Sequence, residues 1–379
     1  MKSCEPSTSA DGKGRASLTL PKVVRGIVCL SVLLLTAFMM LVYLGFLTAV
    51  PLRFFSVHYS RKAISYFFGI WLALWPFLFE KINKTKVIFC GETVPPRERV
   101  LLIANHRTEV DWMYLWDLAL RKGRIGYIKY VLKSSLMKLP VFGWSFQLLE
   151  FISVERKWEI DESSMHRMLQ TFKDPRDPLW LAVFPEGTDF TAQNNLIGYE
   201  MIGSAVKLVH KFLCGQSAVT DPYILPLSLL RVYDVTIGYK YRCPSFMDNA
   251  FGVDPAEVHV HVRRVHLDDI PMSENEVTSW LMDTFHFKDQ LLSDFHSKGH
   301  FPNPGTEKEL STVKCLLNAI GVIFLTCTCT YLTFFSSIWF KVYVSSVCAY
   351  LASATYFNIR PQPIAGYGKA VITRNSAKH

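Results

Sequence analysis

Gly26 to Val50 runs for 25 residues without a charged side chain, and no other stretch limits the fold so tightly. At 1.5 Å per residue the run makes a helix long enough to cross a bilayer. A cleaved signal peptide fits less well, because the apolar region is too long and no small-residue cleavage site follows. Ala63 to Phe79 is a second apolar segment, holding Trp71, Trp75 and Pro76; its 17 residues stand near the lower limit for a span. Either the two form a transmembrane hairpin over residues 26–79, or the second lies half-embedded. Both arrangements return the chain to the side where it began. Residues 1–25 are polar and basic and read as a disordered tail, whose charge places that side in the cytosol. The linking Arg53, Arg61 and Lys62 argue against a full crossing. Cys315 to Phe335 is again uncharged, and Ile338 to Phe357 contains only Lys341; residues 315–357 read as a second membrane hairpin before a basic tail, 358–379.

The composition agrees with membrane attachment: 50% of the residues are hydrophobic and 14% aromatic. The net charge of +9 would suit nucleic acid, anionic lipid headgroups or a phosphorylated substrate. The apolar segments favour the last two and speak against nucleic acid. Nine cysteines form no framework and no zinc-type spacing. Five lie in apolar stretches, and Cys90, Cys214 and Cys243 are isolated, as suits a reducing compartment. Asn83-Lys84-Thr85 is a glycosylation sequon that reads as a chance match on the cytosolic side.

Residues 80–300 read as one globular α/β domain around a mostly buried sheet. Strand-like runs (Val87 to Phe89, Val100 to Ala104, Phe151 to Val154, Leu179 to Phe184, Val235 to Tyr239, Val258 to Val262) alternate with helix-like stretches (Trp112 to Arg121, Asp161 to Phe172, Glu276 to Phe285). Lys129 to Lys138 mixes lysines with apolar residues and suits either an anionic membrane surface or an ordinary surface helix.

The chemistry centres on Asn105-His106-Arg107-Thr108-Glu109-Val110-Asp111, just after the apolar run that ends at Ala104. Strand, polar turn and helix place His106 where a buried strand opens onto a surface. With Thr108 capping a helix that starts at Glu109, Asp111 falls in the first turn and its carboxylate can point back at His106. An imidazole bonded to a carboxylate is held in one tautomer, and its other nitrogen becomes the better proton acceptor. Such a dyad needs no nucleophilic side chain, because it can activate a hydroxyl of the substrate. The same residues also fit a capping box, in which Asp111 only satisfies an amide at the helix start.

Three further stretches bear on function. Arg156 ends the strand-like run at Val154, where a guanidinium can grip a phosphate or simply stand on the surface. In Phe184-Pro185-Glu186-Gly187-Thr188 a tight turn presents Glu186, a backbone amide and the Thr188 hydroxyl together, suiting a phosphate oxygen or a purely structural turn. His259 and His261 share a strand face that reads as solvated, without a supporting metal ligand. Gly-x-Ser-x-Gly and Gly-rich nucleotide loops are absent.

Taken in order, Asn-His-x-Thr-x-x-Asp at 105–111, Arg156 at a strand end and Phe-Pro-Glu-Gly-Thr at 184–188 resemble the membrane-anchored glycerolipid acyltransferases. The likeness is to the 1-acylglycerol-3-phosphate (lysophosphatidic acid) acyltransferases. Arg156-Lys157-Trp158-Glu159 resembles the eukaryotic, plant-like branch related to lysocardiolipin acyltransferases, and Tyr233-Asp234-Val235-Thr236 belongs to the likeness. The resemblance covers roughly residues 30 to 300. It implies transfer of a fatty acyl group from acyl-CoA, as co-substrate, to the 2-hydroxyl of lysophosphatidic acid at the endoplasmic reticulum membrane, with the active domain facing the cytosol. It implies His106 as base, Asp111 as its orienting acid, and Arg156, Glu186, Gly187 and Thr188 as the grip on the acceptor. No metal or other cofactor is implied. Another lysophospholipid as acceptor, and a catalytically impaired membrane paralogue, remain the alternatives.

The chain departs from the family at Glu150 and Ser153, where Gly and Phe are common, and at Asp189, where Arg is frequent. The usual Leu-Pro-Lys/Arg-Thr-x-Gly is reduced to Leu225-Pro226. Gln193 to Arg231 as a whole fits poorly, as an altered exon or a shifted reading frame would produce.

Overall fold

The computed structural model describes residues 18–139, 141–155, 157–172, 174, 176–186, 230–254, 256–271 and 273–359. Arg156, Gly187, Thr188, Asp189 and all of the atypical stretch except Leu230 and Arg231 therefore lie outside the described residues.

The chain starts with helix α1 (Leu20–Met40), which continues through a π turn and two short helices to Phe55. Helix α2 (Val57–Leu72) follows, its N-terminus capped by the Ser56 hydroxyl accepting from the Tyr59 amide. Among the described residues three helical runs are long and apolar enough to cross a membrane: Leu20–Phe55, Val57–Ile82 and Thr312–Phe335. They differ in how far the protein itself covers them. The most apolar window of the second is 67% buried, against 28% in the third, so α2 rests largely on the domain.

Seven strands then build one sheet: β1 (Lys86–Gly91), β2 (Arg99–Ala104), β3 (Ile128–Lys133), β4 (Ile152–Val154), β5 (Trp180–Val183), β6 (Leu230–Tyr239) and β7 (Glu257–Val265). Their order is β1-β7-β6-β2-β5-β3-β4. Five neighbours from β6 to β4 run parallel; β7 is antiparallel to β6 and carries β1 parallel to itself. The helices are α3 (Asp111–Arg121), α4 (Phe142–Leu148), α5 (Trp158–Thr171), α6 (Phe246–Phe251), α7 (Glu274–Lys298), α8 (Thr312–Phe335) and α9 (Ile338–Tyr356).

The alternation of β2 explains the layering. Val100, Leu102 and Ala104 join the large core with α3 and the N-terminal helices, while Leu101 and Ile103 face Met165 and Leu169 of α5 and Val277 and Leu281 of α7. Both faces are covered, as a parallel sheet requires.

Several sequence expectations need correction. Lys129 to Lys138 is not one helix: its first half is β3, buried at Lys129 and Tyr130, and Ser134–Lys138 is a 3-10 turn that lies at the surface. Lys129 is buried because Glu150 lies 3.7 Å from its ammonium and the Leu149 carbonyl accepts from it at 2.7 Å. His259 and His261 are also buried, against Phe295 and Phe301, so their strand face is covered rather than solvated. Cys243, read as isolated, is disulfide-bonded; sequence spacing carries no signal for that pairing.

Glu150, a departure from the family pattern, ties the domain to its N-terminal helices. It is buried, in left-handed backbone (φ 57°), and its carboxylate receives Arg53 at 2.9 Å and Arg61 at 2.8 Å. Burial alone would raise its proton affinity, but Lys129, Arg61 and Arg53 outweigh burial and hold it well below the usual carboxylate range. Two of the three link charges, Arg53 and Arg61, are thus paired with the domain, which is why they are compatible with an apolar environment on either side.

Candidate active site

The parallel strands β2 and β5 end side by side, with Ile103 level with Val183, so the residues that follow each strand meet at one edge of the sheet. His106 comes from the first and Glu186 from the second. On β4, three strands from β2, Ile152 pairs with Val131 of β3, and Val154 ends at the same edge.

The 105–111 loop is pinned along its length by β6 and the segment that follows it. Asn105 is fully buried and closes a pair of hydrogen bonds with the backbone of Ile237, donating to its carbonyl at 3.1 Å and accepting from its amide at 2.7 Å. The Thr108 hydroxyl donates to the Pro244 carbonyl at 2.5 Å, and Glu109 accepts the Phe246 amide at 2.5 Å. A loop fixed at so many points presents its histidine in one place.

Asp111 is fully buried, and its carboxylate is saturated. Oδ2 lies 3.1 Å from His106 Nδ1 and accepts the amides of Arg107 at 2.5 Å and Thr108 at 2.8 Å. Oδ1 accepts the Tyr239 hydroxyl at 2.5 Å. Burial and the nearby Asp111 push the Tyr239 phenol well above its ordinary value, so it stays a donor. Helix α3 starts at Asp111 rather than Glu109, and Thr108 does not cap it. The carboxylate of Asp111 therefore holds the loop amides before the helix and orients His106 at once, and the capping box is not formed. With Nδ1–H directed at Asp111, the imidazole lone pair lies on Nε2. The His106 side chain is 18% exposed, and the Phe184 ring lies over it with centroids 4.6 Å apart.

Glu186 is buried, and its Oε1 accepts the His106 amide at 3.3 Å. Oε2 is buried with no donor among the described residues. Burial, partly offset by the His106 amide, pushes its carboxyl up to about 7. His106, Asp111 and Glu186 are thus brought together.

Two supporting residues carry no motif. Tyr239 stands at the end of a strand-like run as an ordinary aromatic. Lys288 of α7 is fully buried beneath the loop, donating to the carbonyls of Ile103 at 3.1 Å and Val235 at 2.7 Å and pairing with Asp234, which Arg263 also reaches at 2.8 Å. A lysine inside a helix that reads as amphipathic gives no sign of this.

Residues 86–230 match the family model described as Acyltransferase, and residues 250–322 match Acyltransferase C-terminus. The chain is 60% identical over 356 residues to an Arabidopsis thaliana protein named "Probable 1-acyl-sn-glycerol-3-phosphate acyltransferase 5", covering 93% of this chain and 95% of that one. It is 33% identical over 287 residues to lysocardiolipin acyltransferase 1 of Gallus gallus, covering 70% and 74%. The crystal structure of the 1-acyl-sn-glycerophosphate (LPA) acyltransferase PlsC from Thermotoga maritima superposes with a TM-score of 0.41 at 17% identity, over 71% of this chain and 97% of that one.

Proposed function

This chain belongs to the 1-acyl-sn-glycerol-3-phosphate acyltransferase family, in the branch related to lysocardiolipin acyltransferases, and on that premise we propose that it transfers a fatty acyl group from acyl-CoA to the sn-2 hydroxyl of lysophosphatidic acid. The product is phosphatidic acid, for phospholipid synthesis at the cytosolic face of the endoplasmic reticulum membrane.

The observation that carries this reading is the His106–Asp111 pair, 3.1 Å apart at the open end of β2. His106 Nε2 takes the proton of the acceptor hydroxyl as that oxygen attacks the thioester carbonyl. Asp111 stabilises the imidazolium that forms. The tetrahedral intermediate then collapses, the carbon–sulfur bond breaks, and the CoA sulfur leaves with the proton returned from His106. A thiolate is a good leaving group, so the step calls for neither a metal nor a covalent intermediate on the protein. Arg156, Glu186, Gly187 and Thr188 hold the glycerol phosphate of the acceptor. The apolar segments at both ends, 26–79 and 315–357, keep the domain on the bilayer that supplies it, the first half-embedded beside the domain, where its link residues Arg53 and Arg61 meet Glu150, and the second as a hairpin.

Radiolabelled acyl-CoA offered with a panel of lysophospholipids to the full chain in phosphatidylcholine nanodiscs tests this. Label in phosphatidic acid, dependent on lysophosphatidic acid, is expected. Preferred labelling of a cardiolipin-type acceptor would support the second reading, to which the 33% identity with lysocardiolipin acyltransferase points. No transfer to any acceptor would overturn both and leave an impaired paralogue.

A further inference from the structure

At the edge of the sheet opposite His106 lies a cavity of about 410 Å³, bounded by α2, the start of β3 and the segment before β5. Arg99 opens β2 and His106 follows its far end, so the strand alone separates the two places by roughly 17 Å. The cavity therefore lies at the other end of β2 from the imidazole that would take the proton.

Its lining is strongly cationic: six lysine and arginine side chains against one carboxylate, Asp177. Three of these cations have partners. Arg61 pairs with Glu150 and Asp177, Lys129 with Glu150, and Arg176 with Asp174. Lys62, Arg99 and Arg124 have no carboxylate within ion-pair distance among the described residues. Arg99 gives one guanidinium nitrogen to the Phe172 carbonyl, and its Nε is buried without an acceptor. Arg124 donates to the Pro96 carbonyl and lies over the Tyr127 ring at 5.7 Å. Asp177 and Asp174 act on Arg99 only through space, neither at ion-pair distance, and a buried guanidinium N–H with no acceptor is costly unless something supplies one. Two guanidinium forks and an ammonium around one cavity match a tetrahedral, multiply charged oxyanion.

The helix beside the cavity is built for a membrane surface. Tyr59, Lys62 and Tyr66 stand at helical spacing on α2, and the two tyrosines are 63% and 64% exposed. Exposed aromatics flanking a lysine are the composition of a bilayer interface.

We propose that this cavity binds a phosphate group, separately from the acyl acceptor, either on an anionic phospholipid headgroup or free in solution. The ligand engages Arg99, Arg124 and Lys62.

Thermal unfolding of the full chain in phosphatidylcholine nanodiscs tests this, with phosphatidylglycerol added to the bilayer in one arm and inorganic phosphate to the buffer in the other. The wild type is expected to gain several degrees in at least one arm, and K62Q/R124Q to lose at least half of that gain. A gain confined to phosphatidylglycerol identifies the headgroup as the source; one confined to inorganic phosphate identifies the soluble anion. R99Q is expected to lose the gain as well, and if it fails to fold, K62Q/R124Q, with its more accessible side chains, decides alone. No gain in either arm for the wild type, or an undiminished gain in K62Q/R124Q, overturns the proposal. The readout is independent of acyl transfer, which K62Q/R124Q is expected to retain in pure phosphatidylcholine.

Discussion

Glu186 accepts the backbone amide of His106 at 3.3 Å across 80 residues of sequence, while its second oxygen is buried without a donor among the described residues. Burial raises its carboxyl from 4.5 to about 7. The folded state therefore binds this proton more tightly than the unfolded chain does. The stability it contributes is fully present below pH 4.5 and is lost as pH rises to about 7. Glu186→Gln should remove that loss. Between pH 5 and 8 the unfolding temperature of the wild type is expected to fall relative to the variant; parallel curves would contradict the assignment.

Asp111→Asn keeps the shape but turns an acceptor of four hydrogen bonds into a group that must also donate, facing the amides of Arg107 and Thr108 and the Tyr239 hydroxyl. The imidazole loses its fixed tautomer. Initial rates against acceptor concentration should show kcat reduced by about 10²–10⁴ with KM little changed. A variant that changes KM alone would remove Asp111 from the chemistry.

Tyr239→Phe takes away only one donor to the same carboxylate. A hydrogen bond to a charged group contributes about 1.5–3 kcal/mol, so the expected drop in kcat is about 10- to 100-fold. The effect should largely vanish in the Asp111→Asn background, because both act on one interaction. Full additivity in that double-mutant cycle would contradict the coupling.

Lys288→Met removes the donor beneath the 105–111 loop and leaves Asp234 with Arg263 as its one remaining ion-pair partner among the described residues. Breaking a buried pair on one side costs about 3 kcal/mol or more. Unfolding titrations in mixed micelles should show that loss for Lys288→Met, and a smaller one for Lys288→Met combined with Asp234→Asn. Equal losses would mean that the buried charge on Asp234 is not the source of the cost.

What could be read in the chain and what could not divide along sequence distance. His106 and Asp111 are five positions apart, and the strand before them is a plain apolar run, so both the element and the pair were visible locally. Tyr239 lies 128 positions from Asp111 and Lys288 lies 185 from Ile103; only the folded sheet brings them in. Lys129 was misread as a surface residue because nothing nearby in sequence announces Glu150 as its partner. His259 and His261 were misread because alternation identifies a strand but not whether a helix covers its second face. Gly187, Thr188 and Arg156 lie outside the described residues, so the grip on the acceptor phosphate stands on the family pattern.

The central claim is that His106 is the base, and His106→Ala tests it most directly. The full-length variant in nanodiscs should unfold within a degree or two of the wild type and transfer acyl groups from acyl-CoA to lysophosphatidic acid at least about 10²-fold more slowly. A correctly folded His106→Ala protein that transfers at the wild-type rate would contradict the mechanism outright.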